Sequence, residues 1–342
     1  MLNRKLFIAA MTVSPLVIAA VENPWPAQVK EIKYKSTADN SMQKAMFYAP
    51  KNKKKIPLAV ALHTWSADYK QPNVVPAKWA IEKDWVFIHP DFRGPNWTPQ
   101  AMGSELAIQD IIDAVEYAKS QADIDTDRIY LVGGSGGGYA TLLMAGRAPG
   151  IWAACSAWCP ISDLKKWHGQ CKKVKLGYYA QIEKSAGGNP QKDAKANEEC
   201  VKRSANTYLA SAKDVTLEIA TGIHDGHNGS VPVSHALEAF NVLAKPEDRI
   251  SEEDIKYFVE KEAVPPHLAM KKKELIPTTN RVIHFRRVSG NVRVTIFEGG
   301  HELLPNPALN WLEQQRKGQA PKWDTEIKTK IKVSDSDSKV GK

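Results

Sequence analysis

The sequence predicts an α/β fold, a mostly parallel sheet with helices on both faces, and three observations carry that expectation. Short runs such as Ile56 to Leu62 and Ile151 to Trp158 are apolar at nearly every position, as strands covered on both sides must be. Between such runs lies a stretch with helical periodicity, Ser104 to Ala118, where Leu106, Ile108, Ile111, Ile112 and Val115 recur on one face. The third is a glycine cluster, Gly133-Gly-Ser-Gly-Gly137, set between an apolar strand and a helix-forming segment.

In chain order, Val29 to Lys35 and Gln43 to Tyr48 read as a hairpin-like pair of strands around a polar turn, followed by the buried strand Ile56 to Leu62. Trp85 to His89 is the next buried strand, and it ends in the turn-rich Pro90 to Trp97. Ser104 and Glu105 stand where a cap belongs, and the helix leads through Asp123 to Arg128 to a strand at Ile129 to Val132. A helix from Ala140 to Arg147 and strands at Ile151 to Trp158 and Leu217 to Thr221 follow. Residues 165–213 are polar, lysine-rich and irregular, and read as a lid-like insertion over the sheet edge. A second insertion, 245–279, carries Pro246, Pro265 and Pro266 around a helical patch; strands at Val282 to Val288 and Val292 to Phe297 and a helix at Pro307 to Gln315 close the domain.

One domain is therefore expected over 21–318. Before it, Asn3-Arg4-Lys5 and the apolar Leu6 to Ala20 have the layout of an exported protein's leader, so residues 1–20 read as a signal peptide. After it, 319–342 reads as a flexible tail. The chain carries a formal charge of +9, but the leader and the tail hold enough of it to leave about +5 on the domain. No aromatic residues interleave with the lysines at 51 and 53–55, which excludes a nucleic-acid platform. Of the four cysteines, Cys155 reads as core, and Cys171 and Cys200, which flank the polar insertion, are the expected disulfide pair.

The chemistry centres on Ser135. A serine between glycines on a strand-to-helix turn is a nucleophile elbow, because only small residues allow so tight a turn and the hydroxyl is lifted clear of the sheet. A phosphate loop is excluded because Tyr139-Ala140 stands where Lys-Ser/Thr would be needed, and a dinucleotide fingerprint because Tyr139 takes the third glycine's place. Serine needs a base, and Gly299-Gly300-His301 lies just after the last strand, so His301 is the candidate. Asp225, beyond the strand Leu217 to Thr221, is the candidate acid, with Asp163 one strand earlier as the alternative. The oxyanion donors are the backbone N–H groups of Gly136 and Trp65, with Thr64 the alternative to Trp65. Arg93, Asn96, Trp97 and Trp158 lie on loops or strand ends at the edge where such sheets bind ligands, and are the candidate substrate contacts. His224, Asp225 and His227 resemble a metal set only superficially, so no metal and no cofactor are expected.

With these residues in place the chain resembles the α/β-hydrolase superfamily, and in detail the prolyl-oligopeptidase-like branch that includes bacterial acetyl xylan esterases. The matching stretches are Leu62-His-Thr-Trp65, Gly133 to Gly137, the loop Asp225 to Pro232, and Gly300-His301. Two features depart from the branch: the acid loop is lengthened by Gly226-His-Asn-Gly-Ser, and no β-propeller is expected ahead of the domain. The resemblance implies a secreted or periplasmic serine esterase acting on short-chain, chiefly acetyl, esters of small molecules or polysaccharides. A prolyl-oligopeptidase-like peptidase is the alternative. Neither nucleic acid nor, once the leader is cleaved, a membrane is an expected partner.

Overall fold

The computed structural model describes residues 24–51 and 54–324. Among them the chain runs β1 (Lys30–Lys35), β2 (Met42–Tyr48), β3 (Ile56–Leu62), α1 (Val74–Glu82), β4 (Val86–Pro90), α2 (Glu105–Gln121), β5 (Ile124–Gly134), α3 (Gly136–Arg147), β6 (Ala154–Trp158), α4 (Leu164–Lys173), α5 (Tyr178–Ala186), α6 (Ala194–Arg203), β7 (Thr216–Gly222), α7 (Ser234–Leu243), α8 (Glu252–Lys261), β8 (Glu274–Leu275), β9 (Val282–Ser289), β10 (Val292–Phe297) and α9 (Pro305–Leu312). The strands form one sheet in the order β1-β2-β4-β3-β5-β6-β7-β10-β9-β8. From β4 to β10 every neighbour is parallel, and the two edges are antiparallel.

The apolar runs are explained by a core on each face. In β3, Leu58, Val60 and Leu62 join one cluster with residues of α2, α3 and α7, while Ala59 and Ala61 join the other with Ala77 of α1 and Leu309 of α9. Alternate residues of a strand point to opposite faces, so all seven β3 residues are buried. The central strands then deliver their carboxyl ends, and the loops beyond them, to one edge of the sheet.

Residues 165–213 are helical rather than irregular: α4, α5 and α6 fill most of the insertion. Asp163 and Asp193 cap α4 and α6 by accepting from the Lys166 and Ala196 amides. α4 and α6 bury a few apolar side chains among lysines and other polar residues, so a short amphipathic stripe is diluted in composition. Cys171 of α4 and Cys200 of α6 are not joined. All four cysteines are buried thiols, and burial pushes Cys171 and Cys200 up to about 12.

The expected signal peptide, 1–20, lies outside the described residues, as does 325–342 of the tail. Lys322 and Trp323 are docked on the domain, against the expectation of a flexible tail there. The Trp323 ring stacks on Trp311 at 5.7 Å, and Arg293 donates to the Trp323 carbonyl at 2.6 Å. No helix among the described residues is long and apolar enough to cross a membrane.

Arg93 serves the fold rather than the substrate, which corrects its reading as a contact residue. Its guanidinium donates to Asp110 at 2.6 and 3.0 Å, to Asp39 at 2.6 and 3.1 Å, and to Ser36 at 3.1 Å. This ties the loop after β4 to α2 and to the β1–β2 turn. The Asp110 side chain is fully buried, so Arg93→Ala strands a carboxylate and is expected to cost about 3–5 kcal/mol of stability. Denaturant unfolding checks the loss, while kcat/KM measured well below the melting temperature stays near wild type. A large fall in kcat/KM without loss of stability would return Arg93 to the substrate.

Candidate active site

Ser135 sits between β5 and α3 with φ 57° and ψ −121°, a strained conformation for a residue with a Cβ. Two hydrogen bonds hold it there: its amide donates to the Trp158 carbonyl, and its carbonyl accepts from Tyr139, both at 2.8 Å. The flanking glycines are required by contact. A Cβ on Gly133 would strike the backbone of Gly137, and one on Gly136 would strike the backbone of Trp65. The same contact brings the Trp65 amide beside the first residue of α3, whose own N–H has no acceptor within the helix. Two backbone donors therefore converge next to the serine, the arrangement an oxyanion needs. Of the two sequence candidates for the second donor, Thr64 already donates its N–H to Gln71 Oε1 at 2.8 Å, which leaves Trp65.

Trp65 is 2% exposed and held from three sides. Its carbonyl accepts from the Asn96 amide at 2.9 Å, its indole donates to Gln181 of α5 at 2.7 Å, and Trp167 of α4 lies edge-on at 4.7 Å. The insertion thus braces the loop that carries the donor. Beneath it, both ring nitrogens of His63 lie close to backbone carbonyls, Thr64 at 2.9 Å and Asp91 at 2.7 Å, and the ring stacks on Phe92 at 3.8 Å.

Asp225 follows β7 and His301 follows β10, neighbouring strands that bring them together. His301 Nδ1 lies 2.8 and 3.0 Å from the two Asp225 carboxylate oxygens. Asp225 is 1% exposed and also accepts from Thr221 Oγ1 at 3.1 Å and the Val231 amide at 3.2 Å. This contact keeps the proton on Nδ1 and leaves Nε2 as the basic nitrogen. His301 and Ser135 line one small cavity of about 140 Å³, together with Thr64, Gln71, Asn73 and Cys159. Asp163, the alternative acid, spends its carboxylate on the Lys166 amide as the α4 cap. His224 and His227 turn outward. Glu262 and Glu298 hold His224, at 2.8 and 3.1 Å, and raise its pKa.

The substrate contacts read from the sequence fare less well. Asn96 is 1% exposed and spends its groups on the Trp65 carbonyl and the Met102 amide, so it positions the donor loop. Trp158 turns its indole to Ser156 Oγ and its ring to Phe297, and it lines a separate cavity of about 290 Å³ that contains none of Ser135, Asp225 and His301. Only its carbonyl serves the elbow. Trp97 is half-buried and outside the residues lining the small cavity. Sequence reading passed over Gln71, Asn73, Cys159 and Gly229. A Cβ on Gly229 would collide with both Asp225 and His301. The glycine-rich acid loop was the available signal for Gly229; no local pattern marks the other three.

A serine on a strand-to-helix elbow, with an aspartate–histidine pair delivered by the next strands of a parallel sheet, defines a serine hydrolase of the α/β-hydrolase superfamily. Within that class the chain belongs to the prolyl oligopeptidase family, whose sequence pattern matches residues 77–284. Solved structures with the same fold include an acylaminoacyl peptidase in complex with Z-Gly-Gly-Phe-chloromethyl ketone, 16% identical with a TM-score of 0.57. The uncomplexed acylaminoacyl peptidase of Pyrococcus horikoshii is 17% identical with a TM-score of 0.58. Each covers 87% of this chain, which spans 43% of theirs. Prolyl oligopeptidase B from Galerina marginata is 16% identical with a TM-score of 0.52 over 63% of this chain and 31% of its own. Among curated proteins, no sequence matches the chain.

If the three side chains act as one unit, Ser135→Ala and His301→Ala each lower turnover by about a thousandfold or more, and the double variant is little worse than either. Asp225→Asn lowers it by about 10³–10⁴-fold, while Asp163→Asn acts on stability through the lost cap, by about 1 kcal/mol. Turnover numbers and melting curves on the same samples separate the two. The reverse pattern would move the acid to Asp163.

Proposed function

We propose that the chain is a serine peptidase of the prolyl oligopeptidase type, acting through an acyl-enzyme on short peptides whose amino end carries no charge. Family membership supports the peptidase reading, and it weighs against the carbohydrate esterase that the sequence favoured. In the proposed mechanism Ser135 Oγ attacks the scissile carbonyl as His301 Nε2 takes its proton. The oxyanion that forms is met by the N–H groups of Trp65 and Gly136. His301 then hands the proton to the leaving amine; water next attacks the acyl-enzyme as His301 Nε2 takes its proton, and that proton passes to Ser135 Oγ as the ester bond breaks and the acid leaves.

The restriction to a blocked amino end rests on ion pairing. Capture of a peptide ammonium needs an unspent carboxylate near the serine, and the insertion's acidic residues are spent. Glu183 pairs with His168 and Lys172, Glu198 with Lys202, and Glu199 with Arg203, while Asp193 caps α6. Glu302, which lines the serine cavity, pairs with Arg281 at 2.8 Å. A neutral acylated end loses nothing by this, and the acylaminoacyl peptidase neighbours are in keeping with it.

A short-chain esterase is the second reading, favoured by one observation. The cavity beside Ser135, about 140 Å³, is small for a peptide side chain, and Thr64, Gln71 and Asn73 make part of its lining polar. An acetyl group fits such a space.

Three substrates distinguish these readings: an N-acetylated peptide p-nitroanilide, its free-amine counterpart and p-nitrophenyl acetate. The acylated peptide is expected to be cleaved at least about tenfold more efficiently than the free amine, and within about a hundredfold of the ester, 2.7 kcal/mol in the barrier. Ester cleavage more than a thousandfold above either amide would establish the esterase instead. Preference for the free amine would overturn the blocked-end restriction.

A further inference from the structure

Cys159 puts a thiol at the site that the proposed reaction does not use. It follows β6, is 1% exposed, and holds φ at +45°, a conformation that a side chain rarely adopts. Its Sγ lies 3.2 Å from the Glu302 carbonyl, in the loop that carries His301, and the residue lines the cavity shared with Ser135. Burial, reinforced by the charge of Asp225, pushes the thiol well up, so on its own it stays protonated and unreactive.

We propose that Cys159, Asp225 and His301 form a binding site for one soft or borderline divalent cation, of which Zn²⁺ is the physiological example, and that its occupancy switches the hydrolase off. One ligand atom from each residue, the thiol sulfur, a carboxylate oxygen and a ring nitrogen, lies within 4.8 Å of the others. Zinc bonds of about 2.0–2.3 Å set tetrahedral ligand atoms roughly 3.5 Å apart, so the set closes on an ion by small side-chain rotations. Asp225 and His301 are already in contact. Cys159 and His301 both line the serine cavity, which offers the way in.

Charge favours the assembly. A thiolate and a carboxylate neutralise a dication, so the occupied site buries no net charge, and the ion reverses the thiol's preference for its proton. The consequence for catalysis is specific. An ion on His301 Nδ1 leaves the ring's proton on Nε2, the nitrogen that must accept from Ser135, and it takes the aspartate away from the histidine. Inhibition therefore rests on the catalytic reading given above, whereas binding does not.

The test uses the Ser135→Ala protein titrated with Cd²⁺, a spectroscopic substitute for zinc whose thiolate bond absorbs in the ultraviolet. One equivalent is expected to produce the absorption. Adding Cys159→Ser abolishes it, and adding Asp225→Asn, which keeps the thiol, weakens binding at least about tenfold. In the active protein Zn²⁺ inhibits, and Cys159→Ser raises the inhibitory concentration at least about tenfold when each variant is compared with its own metal-free rate. Absence of the absorption, or its persistence without Cys159, overturns the site. Absorption that tracks Cys159 while zinc leaves turnover unchanged keeps the site and overturns the switch together with the catalytic role of His301.

Discussion

The structure depends on one backbone constraint: the close approach of the loop after β3 to the turn after β5. Ser135 is held at a positive φ so that α3 can start within contact of Trp65, and no side chain larger than hydrogen fits between Gly136 and that residue. Such strain, on the order of 1–3 kcal/mol, persists only where surrounding structure over-determines it. Here the hydrogen bonds of Ser135 to Trp158 and Tyr139 do so from below, and α4 and α5 press on Trp65 from above. The cost is met where it has a use. The same approach that strains the serine sets two N–H groups side by side.

The core of this arrangement was legible in the sequence because it is written locally. The all-apolar β3, the glycine cluster and the double glycine before His301 each state their purpose within a few residues, and the strand boundaries drawn from them fall within a residue or two of those observed for β3, β7 and β10. What escaped is written across the chain. α1 begins Val-Val-Pro, which reads as loop, although proline is tolerated in a first helical turn. The helices of the insertion hide their short apolar stripes among lysines. Arg93 carries an exposed residue's composition, yet its partners Asp39 and Asp110 lie on two other elements. Trp158 points to the opposite face because a strand alternates, and a strand-end tryptophan gives no sign of which face it takes.

The insertion has a larger part in the site than a lid would. Its Trp167 and Gln181 hold the Trp65 loop, Asp193 caps its own helix α6, and its glutamates pair with neighbouring lysines, arginine and histidine. A surface dense in charge is thereby left with little unspent negative charge toward the substrate. On the proposed reading, substrate choice falls to shape and to neutral polar groups, and the cavity lined by Gln71, Asn73 and Thr64 bears on the peptide and ester alternatives alike.

The central claim is that Ser135 is a nucleophile activated by His301. Fluorophosphonates react with an activated serine hydroxyl and not with an ordinary one, so intact mass and peptide mapping after labelling test the claim without a known substrate. One adduct per chain, on Ser135 and suppressed in His301→Ala, is the predicted result. An unlabelled protein, or a label that persists on another residue when Ser135 is alanine, would contradict it.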